Sequence, residues 1–157
     1  MAVLWGEDRL LIITIIVFIL LVSGAFAVLE KAGILTALLA KIVHRFRDRR
    51  YTLLLVLSLF FMLLGAFFGI LEEIVPLVPL MIALSYSLGW DALVGLGMSV
   101  LATNVGFSAA ITNPCNIGIA QKLAGLPLFS GALLRIPVFI VFYLALAWFL
   151  LSYARRI

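Results

Sequence analysis

Leu71-Glu72-Glu73-Ile74-Val75-Pro76-Leu77-Val78-Pro79 breaks into an otherwise continuous membrane sequence, and its reading decides the fold. Two carboxylates and two prolines stand there between long apolar runs. Charge is costly inside a bilayer, and backbone outside a helix survives at depth only against protein or a water-filled cavity. The apolar run that follows, Leu77 to Gly89, rises only ~20 Å as an α-helix, short of the ~30 Å hydrocarbon core. The break therefore predicts the tip of a re-entrant helical hairpin, 51–89. A complete but asymmetric hairpin is the alternative, because the leg from Tyr51 to Ile70 is long enough to cross. A break of this kind suits a protein that moves something through the membrane better than one that merely anchors there.

The rest of the sequence supports a polytopic all-α membrane protein forming a single membrane domain, 1–157. It is 66% hydrophobic and 11% charged, with a mean hydropathy of +1.33, which excludes an ordinary soluble domain. The net charge of +4 is not a nucleic-acid footprint. Lys41, Arg45, Arg47, Arg49 and Arg50 precede one apolar run, and Arg155 and Arg156 follow the last, a placement typical of cytoplasmic loops. The C-terminus is accordingly expected in the cytoplasm. Cys115 stands alone, and one cysteine with one histidine, His44, makes neither a disulfide nor a zinc site. No nucleophile–base set, phosphate loop or nucleotide motif is present, so no enzyme and no bound cofactor are expected.

Outward from the hairpin the elements fall into place. Leu10 to Leu29 (10–29) reads as a span, because Glu7 and Asp8 beside Arg9 deny it the positive leader of a signal peptide. Ala32 to Phe46 (32–46) sets apolar residues against Lys41, His44 and Arg45 at helical spacing, as in a helix lying in the interface. After Gly89-Trp90-Asp91, residues 92–125 form a long helix interrupted at Thr112-Asn113-Pro114-Cys115-Asn116. A last span covers 132–153.

Both interruptions carry candidate chemistry. Pro76 suits the first position of the returning helix, where its missing N–H costs nothing, leaving N–H groups near Leu77 and Val78 at a positive dipole end. Pro114 disfavours helix at Asn113, so Asn116-Ile117-Gly118 would open a second half-helix. Paired half-helix ends form an anion site, and the carbonyls that close the preceding halves can hold a cation. Thr112, Asn113 and Asn116 offer neutral oxygens that suit Na⁺, and Cys115 lines the same break. Glu72 and Glu73 hold a proton or cation, or cap the return helix; the plain alternative is a solvated loop. For Pro114 the plain alternative is a simple kink. Asn104 reads as helix–helix glue, and Gly65, Gly69, Gly95, Gly97 and Ser99 as sites of close helix approach.

Gly65-Ala-Phe-Phe-Gly-Ile-Leu-Glu-Glu-Ile-Val-Pro-Leu-Val-Pro, together with Ala-Ala-Ile-Thr-Asn-Pro-Cys-Asn-Ile-Gly-Ile-Ala-Gln-Lys-Leu-Ala-Gly-Leu-Pro-Leu-Phe-Ser-Gly (Ala109 to Gly131) and the closing Tyr153 to Arg156, resembles the anaerobic C4-dicarboxylate carrier and arginine/ornithine antiporter-like family. That family belongs to the ion transporter superfamily of elevator-type secondary transporters. The resemblance implies two inverted repeats, each with scaffold spans, an interfacial arm, a re-entrant hairpin and a broken helix. It places substrate and cation at Glu72 to Pro76 and Thr112 to Asn116. Two departures stand out: Cys115-Asn116 replaces the family's usual Phe-Thr after Asn-Pro, and one repeat is present. The implied function is one repeat of a cation-coupled (Na⁺ or H⁺) secondary transporter for small organic anions, C4-dicarboxylates foremost, in the inner (plasma) membrane. Its partners are the lipid bilayer, its substrate, and a second copy or second transporter half, not nucleic acid. A basic amino acid exchanger and a non-transporting module or truncated remnant are the rival readings.

Overall fold

A computed structural model describes residues 31–46, 49–69, 71–127 and 129–157, together with eight positions between Ile13 and Val28; for Leu35, Glu72 and Glu73 it describes the backbone alone. The chain divides into two compact units, Met1–Leu38 and Leu39–Ile157. In the first unit the described positions between Ile13 and Val28 are helical, and most of the expected 10–29 span lies outside the described residues. Helix α1, Ile34–Phe46, begins in this unit and ends in the second. It starts at Ile34 because Gly33 takes a positive φ of 70° and closes a turn with Ala32.

In the second unit every described element is helical. Helix α2 covers Arg50–Phe68. A 3₁₀ segment, Glu72–Leu77, leads into α3, Val78–Ser87. The second long helix is built in pieces: α4 (Ala92–Leu96), a π-helical stretch Gly97–Leu101, and α5 (Ala102–Ala109). After a non-helical gap come a second π-helical stretch, Pro114–Gly118, and α6, Ile119–Leu123. Helix α7 runs Ala132–Ala154. Among the described residues Arg50–Phe68, the interrupted Ala92–Leu123 and Ala132–Ala154 are long and apolar enough to cross a membrane. The chain is a multi-pass membrane protein.

The return leg corrects the sequence reading. Pro76 is not the first residue of the returning α-helix; it sits inside the 3₁₀ segment, and α3 begins at Val78 with Pro79 in its first turn. The tighter 3₁₀ winding accommodates the stretch before Pro79 without a break. With ~2.0 Å per residue in the 3₁₀ part and 1.5 Å in α3, the leg from Glu72 to Ser87 rises about 27 Å. It is therefore not short, and length alone no longer argues for a hairpin that stops halfway.

Helices α2 and α5 form the centre. Leu53, Leu54, Leu57, Phe61 and Met62 of α2 and Met98 and Ala102 of the long helix are fully buried. The two backbones approach closely where side chains are smallest. A Cβ on Gly106 would collide with the Met62 carbonyl, and one on Gly65 with the Thr103 carbonyl. Gly95 lies against the backbone of Ile82 and Met81 on α3, and Gly97 against Leu150 on α7, as expected of small residues between membrane helices. Hydroxyls serve the π-helical stretch: Ser99 donates to the Gly95 carbonyl at 2.7 Å and Thr103 to the Ser99 carbonyl at 2.9 Å. These bonds use carbonyl capacity that the widened turn leaves over. Helix α7 is tied in by Tyr143, whose hydroxyl donates to the Leu55 carbonyl at 3.0 Å. Its outer residues, Leu133, Leu134, Val141, Leu144 and Trp148, are exposed and suit acyl chains.

One end of the bundle carries a polar belt. Asp91 caps α4 by accepting the Val94 N–H at 3.0 Å and takes a 2.7 Å bond from the Tyr153 hydroxyl. The Tyr153 bond, more than any other contact, holds the Asp91 carboxyl below its ordinary value. Nearby, the Arg50 and Arg155 guanidinium groups lie over the Tyr51 ring, 5.0 Å and 5.8 Å from its centre, and the Trp90 ring is tilted against it with centres 5.7 Å apart. Aromatic rings and basic groups in one layer mark a membrane interface.

Candidate functional site

Each long helix stops in the same way. Helix α2 ends at Gly69, in the left-handed region at φ 74°, with its N–H bonded to the Gly65 carbonyl. Helix α5 ends at Ala110, also left-handed at φ 42°, with its N–H bonded to the Gly106 carbonyl. Because Gly65 and Gly106 sit at the close approach of the two helices, the two stops lie side by side.

Hydrogen bonds join them. The Thr112 N–H donates to the Ala66 carbonyl at 3.2 Å and the Thr112 hydroxyl to the Phe67 carbonyl at 3.3 Å. Both acceptors belong to the last turn of α2, where carbonyls lack helical partners. The Asn113 amide donates to the Gly65 carbonyl at 3.4 Å, while its oxygen accepts the N–H groups of Cys115 at 2.9 Å and Asn116 at 3.2 Å. Asn113 is fully buried, and a Cβ on Gly69 would strike its side chain. Gly69 is thus needed twice, for its backbone angle and for the room it leaves Asn113.

This geometry amends two expectations. The Asn113 oxygen already accepts two bonds, the number its lone pairs provide, so it stands as the N-cap of the second half-helix and not as a free ligand for an ion. The half-helix starts at Pro114 rather than Asn116. Its N–H groups are in use: those of Cys115 and Asn116 on the Asn113 side chain, those of Ile117 and Gly118 on the Asn113 carbonyl. Thr112 and Cys115 are half-buried and Asn116 is exposed, with the Asn116 amide reaching the Phe107 carbonyl at 3.5 Å.

The two groups of residues singled out in the sequence occupy different levels. Thr112 and Asn113 meet the Gly65–Gly69 end of α2. The 3₁₀ segment bearing Pro76 packs on Gly97–Leu101 instead, and Pro76 is exposed. The Glu72 and Glu73 side chains, expected to hold a proton or cation, lie outside the described residues. Among the described residues no cluster of histidine, cysteine and carboxylate side chains forms a metal centre.

One participant escaped the sequence reading. Arg135, in the first turn of α7, reaches the gap between α5 and the second half-helix. Its guanidinium donates to the Ile111 carbonyl at 3.2 Å, the Ala110 carbonyl at 3.5 Å and the Ser130 carbonyl at 2.9 Å. The neutral oxygens expected there thus share the break with a cationic side chain. The signal was a single charge within the apolar sequence of α7, and an ionisable residue inside a span marks a functional position by default. Gln121, buried, completes the neighbourhood. It donates to the Ser130 carbonyl at 2.6 Å and accepts the Phe129 N–H at 2.6 Å, folding the connection to α7 back against the half-helix.

Comparison with known proteins places this arrangement. Residues 6–157 match the family model described as C4-dicarboxylate anaerobic carrier. A protein of Escherichia coli (strain K12) named "Putative basic amino acid antiporter YfcC" is 32% identical over 143 residues, covering 91% of this chain and 28% of its own length. A Haemophilus influenzae protein carrying the name "Uncharacterized protein" is 28% identical over 125 residues, covering 80% of this chain and 25% of its own length. The chain thus spans about a quarter of the length of these relatives. No solved structure matches.

Proposed function

The chain belongs to the C4-dicarboxylate anaerobic carrier family, and on that premise we propose that it forms one repeat of a cation-coupled secondary transporter for small organic anions, C4-dicarboxylates first among them. The observation that carries this reading is the seam of two helix stops, cross-linked by Thr112 and Asn113, with the Arg135 guanidinium beside it. Irregular backbone of this kind belongs in a membrane where it lines a path. A fixed guanidinium next to that path favours carboxylates over cationic substrates.

In this reading Thr112 and Asn116, with Cys115 beside them, contribute to the substrate and cation site, and Asn113 and Pro114 fix the shape of the break. Na⁺ or H⁺ is the coupling ion, with Glu72 and Glu73 as the carboxylates that take it up and Pro76 shaping their turn. Helix α1 serves as an interfacial arm and 51–89 as a hairpin whose tip is enclosed by protein. The site is completed by a second repeat, supplied by a partner half or a second copy in the inner membrane, with the C-terminus in the cytoplasm. Single cysteines at Glu72 and Leu88 in a Cys115→Ser background test the hairpin. Modification of both by impermeant thiol reagents from the same side supports an enclosed tip, whereas modification from opposite sides means that both legs cross fully.

Basic amino acid exchange is the second reading, favoured by the name of the relative that is 32% identical. Uptake by the reconstituted protein decides between the two, using labelled C4-dicarboxylates and basic amino acids with and without Na⁺ and a proton gradient. Dicarboxylate uptake that needs one of the two ions is the expected result. Arginine or ornithine exchange without dicarboxylate uptake would replace the first reading with the second.

A further inference from the structure

We infer that Arg135 is a resident cation at the carbonyl end of the broken helix, filling the position from which such a helix would otherwise take an ion out of solution. The inference deepens the transporter reading proposed above, which supplies the coupling ion that Arg135 displaces from this position.

The argument starts from the helix end. Residues 92–109 form two α-helical stretches joined by a π-helical one, all running toward the gap at Ala110. The last carbonyls of a helix have no partners within it and carry the negative end of its dipole. In water such carbonyls are hydrated. Inside a membrane protein they must find donors or a cation, and broken transporter helices commonly use them for ions. Here the carbonyl of the C-cap residue Ala110 and that of Ile111, the residue after it, both accept from one guanidinium. Among the described residues the hydrogen-bond partners of Arg135, Ser130 included, are backbone carbonyls. No described carboxylate is among them, so the charge of Arg135 is solvated by oriented carbonyls rather than cancelled in an ion pair, and it stays available to the path beside it. That is the coordination an alkali ion finds at such an end, with the ion replaced by a planar group that cannot lose its charge.

The arginine is also delivered by design of the fold. The Gly131 backbone, left-handed at φ 74°, starts α7 and turns its first residues toward the gap. Gln121 fixes Ser130 and Phe129, and Ser130 supplies the third carbonyl. A coupling ion then has to bind elsewhere, at the Thr112 and Asn116 side of the seam or at the acidic pair.

Thermal unfolding of the purified protein in detergent tests this without reference to transport. Hydrogen bonds to a charged group and the size of the chain set the expected loss for Arg135→Ala at about 4–8 °C in melting temperature. Low-millimolar guanidinium chloride should restore at least half of that loss, choline chloride none, and the parent protein should respond to neither. A loss that guanidinium and choline restore equally, or no loss, overturns the inference. Should Arg135→Ala not fold, Arg135→Lys and Arg135→Gln replace it. The lysine variant, which keeps the cation, should melt above the glutamine variant, and equal melting overturns the inference by showing that the side chain only fills space. Failure of uptake for every substrate would remove the transport reading while leaving the guanidinium result standing.

Discussion

The two helix stops share one backbone solution and differ in the residue that adopts it. At Gly69 the residue in the left-handed region is a glycine, for which that region is free of strain. The chain then enters a 3₁₀ segment whose ends have no side-chain cap. At Ala110 the same backbone region is occupied by a residue with a Cβ, at a cost of about 1–2 kcal/mol. That stop is held by Asn113 from within and by Arg135 from another helix. The first stop takes its backbone angle from its own glycine, and the Thr112 and Asn113 bonds tie its carbonyls to the second. The second is imposed by contacts made between residues far apart in the chain, and strained backbone that persists because its surroundings over-determine it is a mark of functional sites.

The comparison breaks most severely at the seam that joins the stops. Gly106→Ala would drive a Cβ into the Met62 carbonyl, and since backbone cannot move aside as a side chain can, a loss of about 3 kcal/mol is expected. Melting in detergent measures it, and a variant as stable as the parent would mean that the helices part without cost. Next comes Asn113→Ala, which removes the acceptor of two N–H groups and one of the two donors to the Gly65 carbonyl, for a loss of about 2 kcal/mol. Asn113→Asp keeps the acceptor and loses the donor, so it should fall between the alanine variant and the parent. The reverse order would unseat the amide assignment. Ala110→Gly makes the second stop resemble the first and should raise stability by about 0.5 kcal/mol, the relief of strain less the greater freedom of glycine in the unfolded chain. Destabilisation there would show that Ala110 bears no strain. The smallest effect belongs to the far end of the bundle. The carboxyl of Asp91 is held below its ordinary value, so its contribution is present above that ordinary value and fades as pH falls through the lowered one. Asp91→Asn should remove this part of the acid sensitivity while leaving thiol labelling of Cys115 unchanged. A change in that labelling would show that the belt and the seam are coupled.

Much of this was open to sequence reading because it is local. The apolar length of 51–70 and 132–153, the interruption at Pro114 and the small residues that let helices touch follow from composition and spacing, and the helices Arg50–Phe68 and Ala132–Ala154 lie within a residue or two of those ranges. The 3₁₀ winding of Glu72–Leu77 was not legible, since a proline flanked by apolar residues fits a helix start as well as a tight turn. Asn113 was marked as a site residue for its oxygen. That the oxygen faces inward depends on Gly65 and Gly69, more than forty positions earlier in the chain. The partners of Arg135 are backbone carbonyls, which leave no trace in residue identity, so its lone charge within α7 is the sequence signal it carries. Gly106 reveals itself only once Met62 is placed opposite.

The π-helical stretch Gly97–Leu101 has a consequence for phase. An α-helix advances about 100° per residue, and a turn that holds one residue too many sets everything beyond it out of step with what came before. Upstream, Gly95 faces the backbone of α3; downstream, Gly106 faces α2. Deleting one residue from Gly97–Leu101 would therefore act less as a shortening than as a rotation. The capped Asp91 end would turn by about 100° relative to Gly106, carrying Gly95 off the α3 backbone while the contact with α2 stayed in register. The widened turn is what allows one helix to present a glycine to each of two neighbours that approach it from different directions.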